Sequence, residues 1–211
     1  DNNNQTFSSI DGILYNKDKT KLILCPQLKN GEVLIHNTVT LIGNNAFSDC
    51  ASLTSIVMPD NLTTIGDSAF YNCASLTSIV VPDSVTSIGY SAFAGCESLT
   101  EFNGKFVTED KRCVIIDDKL IAVAHAGLTQ YVIPDNVTSI GDNAFNECSS
   151  LTEFRGKFAS NDGRCLIVDG TLHSFAPAGL IEYEIPEGVT TIRGMAFNRC
   201  SNLISVTIPN S

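Results

Sequence analysis

One phrase recurs along this chain and limits what it can fold into. P-D-x-V/L-T-x-I-G-x-x-A-F-x-x-C-x-S-L, or a close variant, starts at Pro59, Pro82, Pro134 and Pro186, and an earlier copy starts at His36. The steps from His36 to Pro59, Pro59 to Pro82 and Pro186 to Pro209 are each 23 residues, whereas Pro82 to Pro134 and Pro134 to Pro186 are each 52. The longer step is one regular unit of 23 plus a second unit of 29. The two 52-residue blocks align without a gap, and about half of their positions are identical. A fixed period of this length marks an array of stacked supersecondary units. Each unit then contacts mainly its neighbours. Residues common to every copy serve packing between copies, so function has to lie where the copies differ.

The expected organisation is one continuous solenoid over residues 1–211. An N-terminal variant unit covers 1–32, regular repeats cover 33–101, 131–153 and 183–211, and long units cover 102–130 and 154–182. The N-terminal unit is related to the long ones and shares Asp11-Gly12 with the later Asp162-Gly163.

Within a unit, Leu76 to Pro82 alternates in the manner of a strand, with Leu76, Ile79 and Val81 inward and Ser78 and Val80 outward. The proline ends it, because it has no N–H to donate to a ladder. Pro-Asp supplies turn chemistry, and Val85-Thr-Ser-Ile88 gives a second short extended piece. From Ser91 onward the spacing of Ala92, Phe93 and Cys96 predicts a helical turn. Gly43, Gly66, Gly89 and Gly141 share one position, which predicts a left-handed corner, although Arg193 stands there in the last copy. In the long units Asp117-Asp118 and Asp169-Gly170, and in the first unit Lys17-Asp18-Lys19, predict β-hairpins in place of the helical turn.

No unit can bury its own apolar face. Stacking would align Leu53, Leu76, Leu99, Leu151 and Leu203 in one row and Phe47, Phe70, Phe93, Phe145 and Phe197 in another. Eight strands beginning near Asn30, Leu53, Leu76, Leu99, Leu128, Leu151, Leu180 and Leu203 would pair in parallel along one face. The fold class is therefore an α/β, β-rich repeat solenoid with a parallel ladder.

Eight cysteines would ordinarily raise a disulfide framework. Here Cys50, Cys73, Cys96, Cys148 and Cys200 share one repeat position, and Cys113 and Cys165 are equivalent in the two long units. Neighbours in such a row have parallel Cβ vectors about one strand spacing apart, too far and wrongly aimed for a bridge. Buried free thiols are expected. No C-x-x-C pair or compact Cys/His cluster points to zinc, and no cofactor is implied.

The net charge of −10 argues against nucleic acid and against a polybasic membrane contact. No apolar run approaches the length of a membrane-spanning helix, and no signal peptide opens the sequence. The array stops at Pro209-Asn210-Ser211 where a further unit would begin. Either the natural chain continues or another molecule covers that end, end-to-end self-association included.

The pattern C-x-S-L-T-x-I-x-x-P-x-x-V-T-x-I-G-x-x-A-F resembles the BspA-like, treponemal-type leucine-rich-repeat family over about residues 30–211. The resemblance implies a curved leucine-rich-repeat stack with its ladder on the concave face. It also implies a bacterial cell-surface or secreted protein, engaged in adhesion or in binding host proteins. The family brings no catalytic residues to transfer, and its motif fixes no binding residues.

Candidate binding residues are the outward positions of the ladder. One column reads Leu34, Val57, Val80, Asn103, Val132, Arg155, Glu184, Thr207, and the other Glu32, Ser55, Ser78, Glu101, Gln130, Glu153, Glu182, Ser205. Leu34, Val57, Val80, Val132, Arg155, Glu182 and Glu184 form the expected footprint, an apolar strip beside an acidic area. Valine and glutamate are also ordinary residues for a solvated strand face. The acids Asp60, Asp83, Asp135 and Glu187 form a line of turn residues and not a calcium cage. His36, His125 and His173 share no repeat position, and the sequons at Asn61 and Asn136 fall inside the repeat consensus. The expected function is a non-enzymatic interaction module for a protein or glycan. The alternatives are a structural spacer or assembly segment of a longer surface protein, and an enzyme, which would need a deep polar pocket.

Overall fold

The computed structural model describes residues 4–209, so the outermost residues of the first and last units lie outside the described part. The chain opens with three antiparallel strands, β1 (Phe7–Ile10), β2 (Ile13–Asn16) and β3 (Lys21–Leu24). Regular windings follow, each with a ladder strand and a shorter second strand. These are β4 (Gly31–Leu34) and β5 (Leu41–Ile42), β6 (Leu53–Val57) and β7 (Thr64–Ile65), β8 (Ser78–Val80) and β9 (Ser87–Ile88). Ladder strand β10 (Glu101–Asn103) leads into the first long-unit hairpin, β11 (Cys113–Ile116) with β12 (Lys119–Val123). Then come β13 (Gln130–Val132), β14 (Ser139–Ile140), β15 (Glu153–Arg155) and the second hairpin, β16 (Cys165–Val168) with β17 (Thr171–Phe175). The array continues with β18 (Glu182–Glu184), β19 (Thr191–Ile192) and β20 (Ser205–Thr207).

The eight expected ladder strands are β4, β6, β8, β10, β13, β15, β18 and β20. They pair in parallel, but two by two: β4 with β6, β8 with β10, β13 with β15, and β18 with β20. The expected unbroken ladder is therefore corrected. After β10 and again after β15 a flap of the long unit, residues 104–112 and 156–164, takes the neighbouring edge, whereas the break between β6 and β8 has no flap. The Phe102 N–H donates to the Lys111 carbonyl at 2.8 Å, and the Phe154 N–H to the Gly163 carbonyl at 2.6 Å. The second strands form a ladder of their own, β3–β5–β7–β9, which β12 resumes with β14 and β17 with β19.

The hairpin turns fall on Asp117-Asp118 and Asp169-Gly170, all with φ between 48° and 72°, the left-handed pair that a two-residue turn requires. Arg112 and Arg164 brace the two hairpins identically. Each Nη1 donates to two carbonyls, those of Ala124 and Ala126 at 3.1 and 2.9 Å and those of Ala176 and Ala178 at 3.1 and 2.9 Å.

Among the described residues there is no helix, which overturns the α/β class and the predicted helical turns. A helix sends each N–H back four residues. Here those donors serve the next winding. The N–H groups of Asn45, Phe47 and Asp49 donate to the carbonyls of Asp67, Ala69 and Tyr71 at 2.9, 2.7 and 2.8 Å. Ser68, Phe70 and Asn72 repeat this onto Tyr90, Ala92 and Ala94, each at 2.8 Å. Left-handed residues aim them outward: φ is 57° at Asn45 and 61° at Asp49, and similar values recur at Ser68, Asn72, Ser91, Asn143 and Glu147.

The repeat glycines are not the left-handed corner, which falls two residues later. Gly66 and Gly89 are small because the previous winding lies against them. A Cβ at Gly66 would sit 2.5 Å from Asn44 Oδ1, and one at Gly89 would sit 2.3 Å from Asp67 Oδ1. Those side chains accept the N–H of Asp67 at 3.0 Å and of Tyr90 at 2.9 Å. Arg193 is thereby explained: its position demands no positive φ, and its guanidinium pairs with Asp142.

Phe47 stacks on Phe70 and Phe70 on Phe93, with centroids 5.0 and 5.6 Å apart and planes within 14°. The row breaks where a hairpin replaces the turn, and ladder-strand rings fill in: Phe102 meets Phe93 at 5.2 Å and Phe154 meets Phe145 at 5.1 Å. Gly66→Ala and Gly89→Ala are each expected to cost about 1–3 kcal/mol through overpacking. Gly194→Ala, whose Cβ would meet nothing within 4 Å, should change stability little. Urea midpoints of the three variants check this.

Candidate binding face

The ladder strands turn alternate side chains outward, and the registers assemble the candidate column. Leu34 lies beside Val57, Val80 beside Asn103, Val132 beside Arg155, and Glu184 beside Thr207. Leu34, Val57, Val80 and Val132 are 71%, 42%, 58% and 60% exposed. The flaps divide this column. Leu34, Val57 and Val80 lie on three successive windings before the first flap, Val132 and Arg155 lie between the flaps, and Glu182 and Glu184 follow the second. The seven candidates are thus not one patch but three.

The acidic half is also less acidic than its sequence. Arg155 grips Glu153 with both nitrogens, Nε to Oε1 at 2.8 Å and Nη2 to Oε2 at 3.0 Å. Lys111 from the first flap lies 3.5 Å from Glu101, which also accepts a bond from Asn103 at 3.1 Å. The Asn103 hydrogen bond and then the Lys111 charge hold Glu101 below its ordinary value, and Arg155 does the same for Glu153. Glu182 and Glu184 have no ion pair among the described residues. Lys111 was not foreseeable from repeat spacing, because the flap that carries it interrupts the period.

The eight thiols are free, and seven are buried. They act as part of the inter-winding bonding: Cys73 Sγ donates to the Phe47 carbonyl at 3.1 Å and Cys96 Sγ to the Phe70 carbonyl at 3.2 Å. Burial pushes Cys96 up to about 12 and Cys148 above the ordinary thiol range. Cys25 goes the other way, held down by its hydrogen bond with Cys50, but it is only 1% exposed. His125 is buried between Glu97, Glu147 and Arg199, and burial holds its pKa below the ordinary imidazole value. Among the described residues no group of three or more His, Cys, Asp or Glu is placed to share a metal ion. No helix among them is long and apolar enough to cross a membrane.

A β-solenoid of about eight windings, each with a ladder strand ended by proline or its substitute, defines a leucine-rich-repeat protein. The sequence matches the BspA type leucine-rich-repeat region in six copies over residues 24–111 and 115–211, and the chain belongs to that family. Its fold is similar to a leucine-rich cell surface protein of Faecalibacterium prausnitzii, with a TM-score of 0.57 and 24% identity over 86% of this chain and 60% of that one. It is also similar to a leucine-rich-repeat protein of Eubacterium ventriosum, with a TM-score of 0.59 and 24% identity over 100% of this chain and 52% of that one. The chain thus spans little more than half the length of either. No curated protein sequence matches it.

Thiol accessibility gives the test of the packed cysteine row. Under native conditions a neutral maleimide should label partly exposed Cys200 first and the seven buried thiols only through opening of the fold. Labelling of Cys25 or Cys96 as fast as Cys200, followed by peptide mapping, would contradict this packing.

Proposed function

We propose that this chain is a non-enzymatic interaction module of a bacterial cell-surface or secreted protein, and that it binds a protein through the ladder strip of Leu34, Val57 and Val80. One observation carries the reading. Three large apolar side chains stand in solvent on successive windings, at positions where the fold needs no apolar residue. Packing accounts for the inward alternates Val33, Ile56 and Ile79, all of them buried, and does not require apolar residues at the outward three. Contiguous exposed apolar surface marks interaction sites, and repeat arrays bind along such faces. Membership in the BspA-type family supports an interaction role, and the cell-surface description of the Faecalibacterium protein supports an extracellular setting. Adhesion to host proteins or glycans is the finer form of the same proposal.

A second reading is a structural spacer or assembly segment of a longer surface protein, and Ile204 and Ile208 of the last winding are the positions at which assembly is probed. The two readings separate in one experiment. Val57→Glu/Val80→Glu is compared with Ile204→Glu/Ile208→Glu in a surface-resonance screen against matrix proteins, with light scattering on each. The binding reading expects the first pair to lose partner affinity at least tenfold with folding intact. Unchanged affinity in that pair, with loss of self-association in the second, supports assembly instead.

A further inference from the structure

Each flap, together with its hairpin and the turn of the next winding, encloses a groove. The first has a volume of about 820 Å³ and the second about 470 Å³. They are translation mates. Ile115 and Pro134 line the first, and their 52-residue equivalents Ile167 and Pro186 line the second. Val107 and Ala159, again equivalent, complete an apolar floor in each.

The rims are negative. In the first groove Glu109, Asp117 and Asp118 stand on the wall, and in the second Glu184 and Glu187 do; none of these has an ion pair among the described residues. Asp110 and Asp162 belong to the scaffold. Asp110 accepts from Thr108 Oγ1 at 2.6 Å and the Arg112 N–H at 2.9 Å, and Asp162 from Ser160 Oγ at 2.5 Å and the Arg164 N–H at 3.0 Å. The sign of the rim recurs although the residues that supply it do not. Glu109 and Asp118 become Asn161 and Gly170, and the second groove draws instead on Glu184, where the first block has Val132, and on Glu187. One cation, Lys105, lines the first groove among these acids, its Nζ 5.3 Å from the Phe106 ring centroid.

An apolar floor under a negative rim matches one kind of side chain, an aliphatic stem ending in a cation, which buries its methylenes and keeps its charge at the mouth. We propose that the two grooves hold lysine or arginine side chains of one extended basic segment in a partner protein. Engagement of both grooves by one segment raises the local concentration of the second side chain once the first is seated. The assignment rests on the reading of the chain as a protein-binding module, and Glu184 stands at once on the ladder face and in the second groove.

The probe is fluorescein-labelled hexalysine, compared with the hexamer of 2,4-diaminobutyrate, which carries the same charge on a stem two methylenes shorter. Anisotropy at physiological salt is expected to show the diaminobutyrate peptide about tenfold weaker per seated side chain. Asp117→Asn/Asp118→Asn and Glu184→Gln/Glu187→Gln should each weaken hexalysine severalfold, asparagine being at ease in the left-handed turn of the first pair. Asp18→Asn/Asp60→Asn, which removes the same charge elsewhere, should leave binding unchanged. Equal binding of the two peptides, or equal loss in the control variant, would mean diffuse attraction to a chain of net charge −10 and overturn the proposal. Hexalysine is also measured on Val57→Glu/Val80→Glu. No hexalysine binding to the parent, with partner loss in that variant, sinks the grooves and leaves the ladder reading standing.

Discussion

Everything in this molecule depends on hydrogen bonds and packing between windings, because no winding holds together on its own. A unit of 23 residues offers one inward face, made of Leu, Phe, Ala and Cys, and no second layer to cover it. The next unit is that layer. The bonds that settle the geometry run between copies: ladder strand to ladder strand, second strand to second strand, and the N–H of Asn45, Phe47 and Asp49 to the winding beyond. Even the thiols take part, Cys73 and Cys96 each donating to the carbonyl of a phenylalanine one winding back. Burial in that row raises the thiols away from reactivity, so the most chemically versatile residues in the chain are spent on structure.

The long units bend this scheme without breaking it. They give up the outer turn and use the residues for a hairpin and a flap. As a result the outer turns of the flanking regular units meet directly, Asn143 Nδ2 donating to Ser91 Oγ at 3.0 Å across one long unit. Across the second, Asn198 meets Asn146 and Arg199 pairs with Glu147. On the other side the flaps cut the ladder into short lengths and create the grooves. The long units interrupt the ladder face at two places, and a third break in its pairing falls between β6 and β8 of the regular units. Recognition by such a surface would be read along the array, by what stands on each segment and not by a central cavity.

Much of this was legible in the sequence. The period located all eight ladder strands, and Asp-Asp and Asp-Gly located both long-unit hairpin turns. The shared position of Cys50, Cys73, Cys96, Cys148 and Cys200 identified a packing row. What failed had a common cause. Helical spacing at Ala92, Phe93 and Cys96 reports only which side chains face inward, and a coil bonded to its neighbour satisfies it as well as a helix does. Glycine at Gly66 reports a lack of room, and that was mistaken for a demand on φ. The flaps were invisible because they occur only where the period is broken. With them went the neutralisation of Glu101 by Lys111 and the division of the binding candidates into three groups.

The direct test of inter-winding bonding is the pattern of scalar couplings transmitted across backbone hydrogen bonds, measured by NMR on the deuterated protein. The account predicts correlations from the Phe47 amide nitrogen to the Ala69 carbonyl carbon and from Phe70 to Ala92, each 22 residues ahead. Correlations from Phe47 back to Gly43 and from Phe70 back to Gly66 would mean helical turns closed upon themselves, and would contradict it.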